Sequence, residues 1–220
     1  MKWLNSLDEL LYEVMSWLIF YPLTLWRTLS RPLSTMNYAD QQLALPDAEQ
    51  YADAISPPLF LALTLALSHG FAVALGQTDE IEASHRGLAG LVSDDSTALV
   101  FRLIVFAIFP LVMSVRLVRG RKQPLNRSTL RMPFYAQCYP ASIFALGLSI
   151  GTAIGTSHWQ TSRTAGAIIT SAALLYYVMV ETRWFRAQRP TGLGLALLSA
   201  ILGLVEGFIL LVAIGILFRA

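Results

Sequence analysis

The chain has 220 residues, of which 55% are hydrophobic and 14% charged, with a formal net charge of +2. Soluble domains carry roughly 25% charged residues, and a soluble globule of this length could not hide so much apolar surface. These values exclude a disordered chain, a disulfide scaffold and an ordinary soluble enzyme, and so small a net charge gives no reason to expect nucleic-acid binding. A mean hydropathy of +0.55 points instead to a polytopic membrane protein.

Residues 1–56 differ from the rest and form an N-terminal region ahead of a transmembrane domain over 57–220. Met1-Lys2-Trp3 is followed by Asp8, Glu9 and Glu13, a poor secretory signal, so this region is expected to be retained. Leu4, Leu7, Leu11, Val14 and Leu18 recur at helical spacing, with Asn5, Glu9, Glu13 and Ser16 opposite. The pattern predicts an amphipathic helix of about five turns. Its apolar continuation, Leu18 to Trp26, is interrupted by Pro22 and is too short and broken to read as a span. The helix is expected in the membrane interface, with Trp3, Trp17, Tyr21 and Trp26 at headgroup level.

The region holds seven acidic residues against three basic ones, where a lipid-surface helix is usually rich in Lys and Arg. It is therefore expected either to pack over a basic connection at 119–131, of this chain or of a partner, or to present a solvated acidic face. Pro46-Asp47-Ala48-Glu49 reads as a helix start. Ser56 reads as an N-cap for a helix beginning at Pro57.

A helix crossing the hydrocarbon needs about 20 mostly apolar residues. Five segments qualify: 57–76, 97–118 with Pro110 inside, 134–156, 165–183 and 193–218. Lipid cannot satisfy unpaired backbone groups, and no segment alternates like a strand. The fold expected is all-α: a five-helix membrane bundle plus an interfacial N-terminal helix.

Basic residues set the direction. The second connection carries Arg116, Arg119, Arg121, Lys122, Arg127 and Arg131, and the fourth Arg183, Arg186 and Arg189. The other two hold Arg86 and Arg163 alone, nine basic residues against two. This predicts a cytoplasmic N-terminus and basic loop, and a C-terminus outside. Trp159 and Trp184 fall near opposite edges, as an aromatic belt requires.

Asp53-Ala54-Ile55-Ser56-Pro57-Pro58-Leu59, leading into the first of five spans, resembles the Yip family of Ypt-interacting membrane proteins. Asp53 and Pro57 match that family's Asp-Leu-x-Gly-Pro-like motif, while Ala54 and Ser56 depart from it. Gly147, Gly151 and Gly155 give the spacing of its Gly-x-x-x-Gly motif without the Tyr that follows it there. The resemblance covers residues 50–218 and implies a membrane scaffold or adaptor. The basic inner loop and the lack of targeting signals look bacterial, and bacterial proteins of this look are often called permeases, a label resting on analogy.

Glu206 falls near the middle of the fifth span, where a charge needs a partner. His69 lies at similar depth in the first span, and Arg102 enters the second from outside. Either Glu206 joins helices as polar glue, or His69, Glu206 and Arg102 form a proton-exchanging site on a solute pathway. A polar cavity reaching Glu206 discriminates between them. Glu181 and Arg183 are expected to snorkel at the inner edge. Gly147, Gly151 and Gly155, and likewise Gly203 and Gly207, form small-residue stripes for helix contact, within the chain or in a homo-oligomer.

Cys138 is the only cysteine, so no internal disulfide can form. His85 and His158 fall in outer loops, and neither paired-His metal spacing nor a catalytic motif is present. No enzyme activity, cofactor or metal is expected. The expected protein is a permease-like component of the bacterial inner membrane, passing or sensing a small or lipidic solute. The alternative is a Yip-type scaffold that recruits a protein partner at its cytoplasmic face.

Overall fold

The computed structural model describes residues 2–75, 95–156 and 160–219. The acidic connection with His85 and Arg86, together with His158 and Trp159, lies outside them, as does the side chain of Trp3. Among the described residues the chain is helical: α1 (Lys2–Ser30), α2 (Pro32–Gln42), a single turn at Asp47–Glu49, α3 (Pro57–Ala74), α4 (Asp95–Phe106), α5 (Ile108–Gly120), α6 (Arg127–Gly155), α7 (Gln160–Gln188) and α8 (Leu193–Arg219). Five stretches are long and apolar enough to cross a membrane: Pro57–Ala74, Arg102–Gly120, Arg127–Gly155, Thr161–Gln188 and Leu193–Ile216. The protein is a multi-pass helical membrane protein.

The ends of these helices have local causes. Pro110 has no N–H to offer the carbonyl four residues back, so the second span breaks into α4 and α5 at Ala107. Backbone bonds from Ala107 to Leu103 (2.9 Å) and from Leu111 to Ala107 (3.1 Å) carry the chain across the break. Asn126 caps α6: its Oδ1 accepts from the Thr129 N–H (2.9 Å), while Thr129 Oγ1 accepts from the Asn126 N–H (3.2 Å). Arg127 and Arg131 therefore belong to the first turns of α6 and Arg119 to the last turn of α5, leaving Arg121 and Lys122 in the connection itself. The helices of the third and fourth spans, α6 and α7, are each 29 residues, about 43 Å at 1.5 Å per residue. That exceeds a ~30 Å hydrocarbon core, so both have length to spare beyond it.

The N-terminal region departs from expectation in one respect: α1 runs unbroken through Pro22. A proline inside a helix costs about 3 kcal/mol, and contacts on both sides of it offset that cost. Tyr21 donates to Thr64 Oγ1 (3.2 Å) and packs against Phe60 with ring centroids 5.3 Å apart. Thr24 Oγ1 accepts from the Ile55 N–H (3.2 Å), and the Thr28 carbonyl accepts from Tyr176 (2.8 Å). Trp17 and Tyr21 therefore pack on the bundle core, whereas Trp26 is exposed. The outer side of α1 carries exposed Leu11, Met15, Leu18, Ile19, Leu23 and Leu29. A helix apolar on both sides needs an apolar medium for the second, and acyl chains supply it.

Asp53, from the stretch that resembles the Yip motif, ties this region together. Its carboxylate accepts from Tyr38 (2.5 Å) and from Arg27 (3.1 Å), joining the loop before α3 to both N-terminal helices. The Tyr38 hydroxyl and then the Arg27 guanidinium hold it below the usual carboxylate range.

At the core, α6 packs against α3, α5, α7 and α2. Phe144 of α6 stacks on Tyr177 of α7 at 4.8 Å, and Phe109 of α5 meets Phe144 and Phe208 of α8 edge-on, each at 5.3 Å. Phe60 and Tyr139 continue the stack at 5.8 Å, and Tyr139 donates to the Ile55 carbonyl (2.9 Å). Aromatic rings fill the middle of the bundle.

The acidic N-terminal region does meet the basic connection of its own chain. Asp40 of α2 is half-buried, and Arg121 is the cation that acts on it; Arg121 in turn donates to Gln188. Burial pushes the Asp40 carboxyl up to about 6, against the opposing pull of Arg121. A carboxyl raised in the folded protein favours folding while protonated. Its contribution is full below the ordinary value of 3.8 and is lost as pH rises through about 6. Asp40→Asn should raise stability at neutral pH and flatten its decline between about pH 4 and 6. Thermal unfolding in detergent across that range checks this, and an unchanged slope would refute it.

Candidate functional site

The fifth span, α8, is apolar on all sides, and Glu206 is the one charge between Leu193 and Phe218. Gly203 and Gly207 flank it and let α8 approach α5: a Cβ at Gly203 would press on Met113 and Arg116, and one at Gly207 on the Phe109 ring. That approach brings Glu206 to Arg116. The guanidinium donates from Nε to Oε2 (2.8 Å) and from Nη2 to Oε1 (2.6 Å), a two-point fork. The pair is not sealed in the core, since the Glu206 side chain is 50% exposed and that of Arg116 21%.

It sits in a groove of about 410 Å³ on the outer side of the bundle, between α5 and α8. Arg116, Arg119, Arg189, Ser199 and Glu206 supply its polar lining. Leu111, Val112, Val115 and Leu210 supply its apolar walls. Arg119 lies in the last turn of α5 and Arg189 just past the end of α7, so the guanidiniums gather where the basic connections begin. Gly120 makes room for Arg189, whose guanidinium occupies the place a Cβ there would take.

The expected trio of Glu206, His69 and Arg102 is not assembled. His69 is on α3, whose main neighbours are α6 and α4, whereas α8 packs on α7 and α5. Arg102 precedes Arg116 by 14 residues on the same span, about 21 Å along the axis and far beyond the reach of its side chain. Arg116 holds the carboxylate instead. Counted by sequence with the connection, Arg116 lies a full turn inside α5.

Glu181 also departs from expectation. It does not snorkel: it is fully buried, on the face of α7 shared with Tyr177, Val180 and Trp184. Helical phase, with spacings of three and four residues, turns it toward α6 despite its closeness to the helix end. There Gln137 Nε2 donates to its Oε2 (2.8 Å). This buried pair joins α6 to α7 as polar glue, while Arg183, on the other face, is exposed.

The glycine stripes all serve contacts within the chain. Gly147 meets Ala173, Gly151 meets Thr170 and the Gly166 carbonyl, and Gly155 meets Gly166, all on α7. Gly166 is the reciprocal contact, which reading the stripes alone did not reveal. Among the described residues, no three His, Cys, Asp or Glu side chains converge as a metal site would require.

Comparison with family models, with characterised proteins and with solved structures finds no match. The groove must be read on its own chemistry.

Proposed function

We propose that this multi-pass membrane protein is permease-like in a restricted sense: it takes up or senses a lipidic solute from the side, at the α5–α8 groove. The observation that carries this reading is the placement of the polar groups. They line a groove on the outer surface of the bundle, while the bundle centre is filled by Phe109, Phe144, Tyr177 and Phe208. A solute that reaches Glu206 therefore arrives laterally, along apolar walls that favour an acyl chain. A scaffold that recruits a partner through its N-terminal region fits less well, because α2 is packed against α6 and α7 and Asp53 is already engaged by Arg27 and Tyr38.

Photocrosslinking of the full-length chain in nanodiscs, with a diazirine-acyl phospholipid, tests the reading. Adducts should concentrate at Leu111, Val115 and Leu210 over Ile168 and Leu175, which are exposed on α7 away from the groove. Uniform labelling of all these positions would overturn it.

A further inference from the structure

We propose that the α5–α8 groove selects an anionic lipid, with a headgroup phosphate held between Arg119 and Arg189 and an acyl chain laid along Val112, Val115 and Leu210. This rests on the lateral-groove reading and adds the charge of the ligand. Three guanidiniums and one carboxylate line the groove, leaving two positive charges in excess. Arg116 is committed to Glu206 by two hydrogen bonds. Arg119 and Arg189 make no ion pair or side-chain hydrogen bond with any described residue. Arg119 feels the Glu206 carboxylate only through space, with no direct ion pair, so both guanidiniums keep their donors open for planar, multi-donor recognition of a phosphate.

The arrangement along the groove matches an amphiphile. Arg119 and Arg189 lie at the ends of α5 and α7, at the level of the basic connections, and the apolar wall begins one turn further in at Val115. A headgroup at the first level puts its chain against the second. Basic pockets between helices on the basic side of a membrane protein are recognised binding places for anionic headgroups. The Arg116–Glu206 pair then closes the inner end of the polar zone, so the charge of the ligand stays near the interface.

The test uses the whole protein in phosphatidylcholine nanodiscs with a trace of diazirine-acyl phosphatidylglycerol or, in parallel, diazirine-acyl phosphatidylcholine. The phosphatidylglycerol probe should label the groove in preference, by roughly fivefold for each guanidinium. Arg119→Gln and Arg189→Gln should each remove about one such factor, and Lys122→Gln, a neighbouring exposed cation outside the groove, should remove none. The lysine variants Arg119→Lys and Arg189→Lys keep the charge and should retain most of the preference, whatever the glutamine variants do to folding.

Equal labelling of the groove by both probes would overturn the inference and leave the lateral reading standing. No enrichment by either probe would overturn both. Equal losses from Lys122→Gln and the arginine variants would assign the preference to general surface charge and refute the site. Displacement of the probe by inorganic phosphate would identify free phosphate, not lipid, as the occupant. Lower stability with unchanged preference would reduce both arginines to helix-end compensation, and this too would overturn the proposal.

Discussion

Arg116→Leu should destabilise the protein by about 3 kcal/mol, and adding Glu206→Leu should recover most of that loss. The single variant takes both hydrogen-bonded donors from Glu206 and leaves its carboxylate only the more distant charge of Arg119, in the middle of an otherwise apolar span. Placing a charge there costs at least ~2.5–3.5 kcal/mol on insertion scales. The double variant removes both charges, and replacing an ion pair by apolar residues of similar volume is often neutral or favourable. The two single variants should differ. Glu206→Leu frees Arg116, which lies four residues from Gly120 at the end of α5 and has a long stem to bend toward that end. Glu206 lies about 20 Å along α8 from Leu193 and has no such escape. Arg116→Leu should therefore cost more than Glu206→Leu. Equilibrium unfolding in mixed micelles measures all three; equal costs for the single variants would mean that the pair sits in water.

The spans were legible because an apolar run is a local property that needs no knowledge of neighbours. Their ends were less so. The first turns of α6 carry Arg127 and Arg131 and look like loop, although the Asn126–Thr129 cap that starts them is itself a sequence pattern. Glu206 could be singled out as a mid-span charge, but not its partner. Choosing Arg116 over His69 requires knowing that α8 lies on α5 and away from α3, and that adjacency is a tertiary fact. The burial of Glu181 is within reach of periodicity, since Tyr177 and Trp184 mark its face, and helical phase outweighs its closeness to the helix end. Nothing local announces that α1 survives Pro22, because the contacts that hold it come from Thr64, Ile55 and Tyr176.

Gly166→Ala should cost about 1–3 kcal/mol, whereas Gly155→Ala, at the same helix crossing, should be neutral or stabilising by up to about 1 kcal/mol. A Cβ at Gly166 would stand 2.6 Å from both the nitrogen and the Cα of Gly155 and would also strike the Gly151 carbonyl. These are backbone atoms of a packed helix, so relief requires moving α6 and α7 apart. A Cβ at Gly155 would find its nearest neighbour, the Gly166 Cα, at 3.8 Å, an ordinary contact. That substitution leaves the packing alone and gains the helix propensity of alanine. The loss at Gly166 should not depend on protein concentration, because both faces belong to one chain, whereas a stripe serving a homodimer would give a loss that fades on dilution. Unfolding of both variants at two protein concentrations checks the ranking and its origin. The consequence reaches the groove, because α8 packs on α7 as well as on α5. Parting α6 from α7 displaces the helix that carries Glu206, so Gly166→Ala should also weaken groove labelling by the lipid probe, from a position that does not line it.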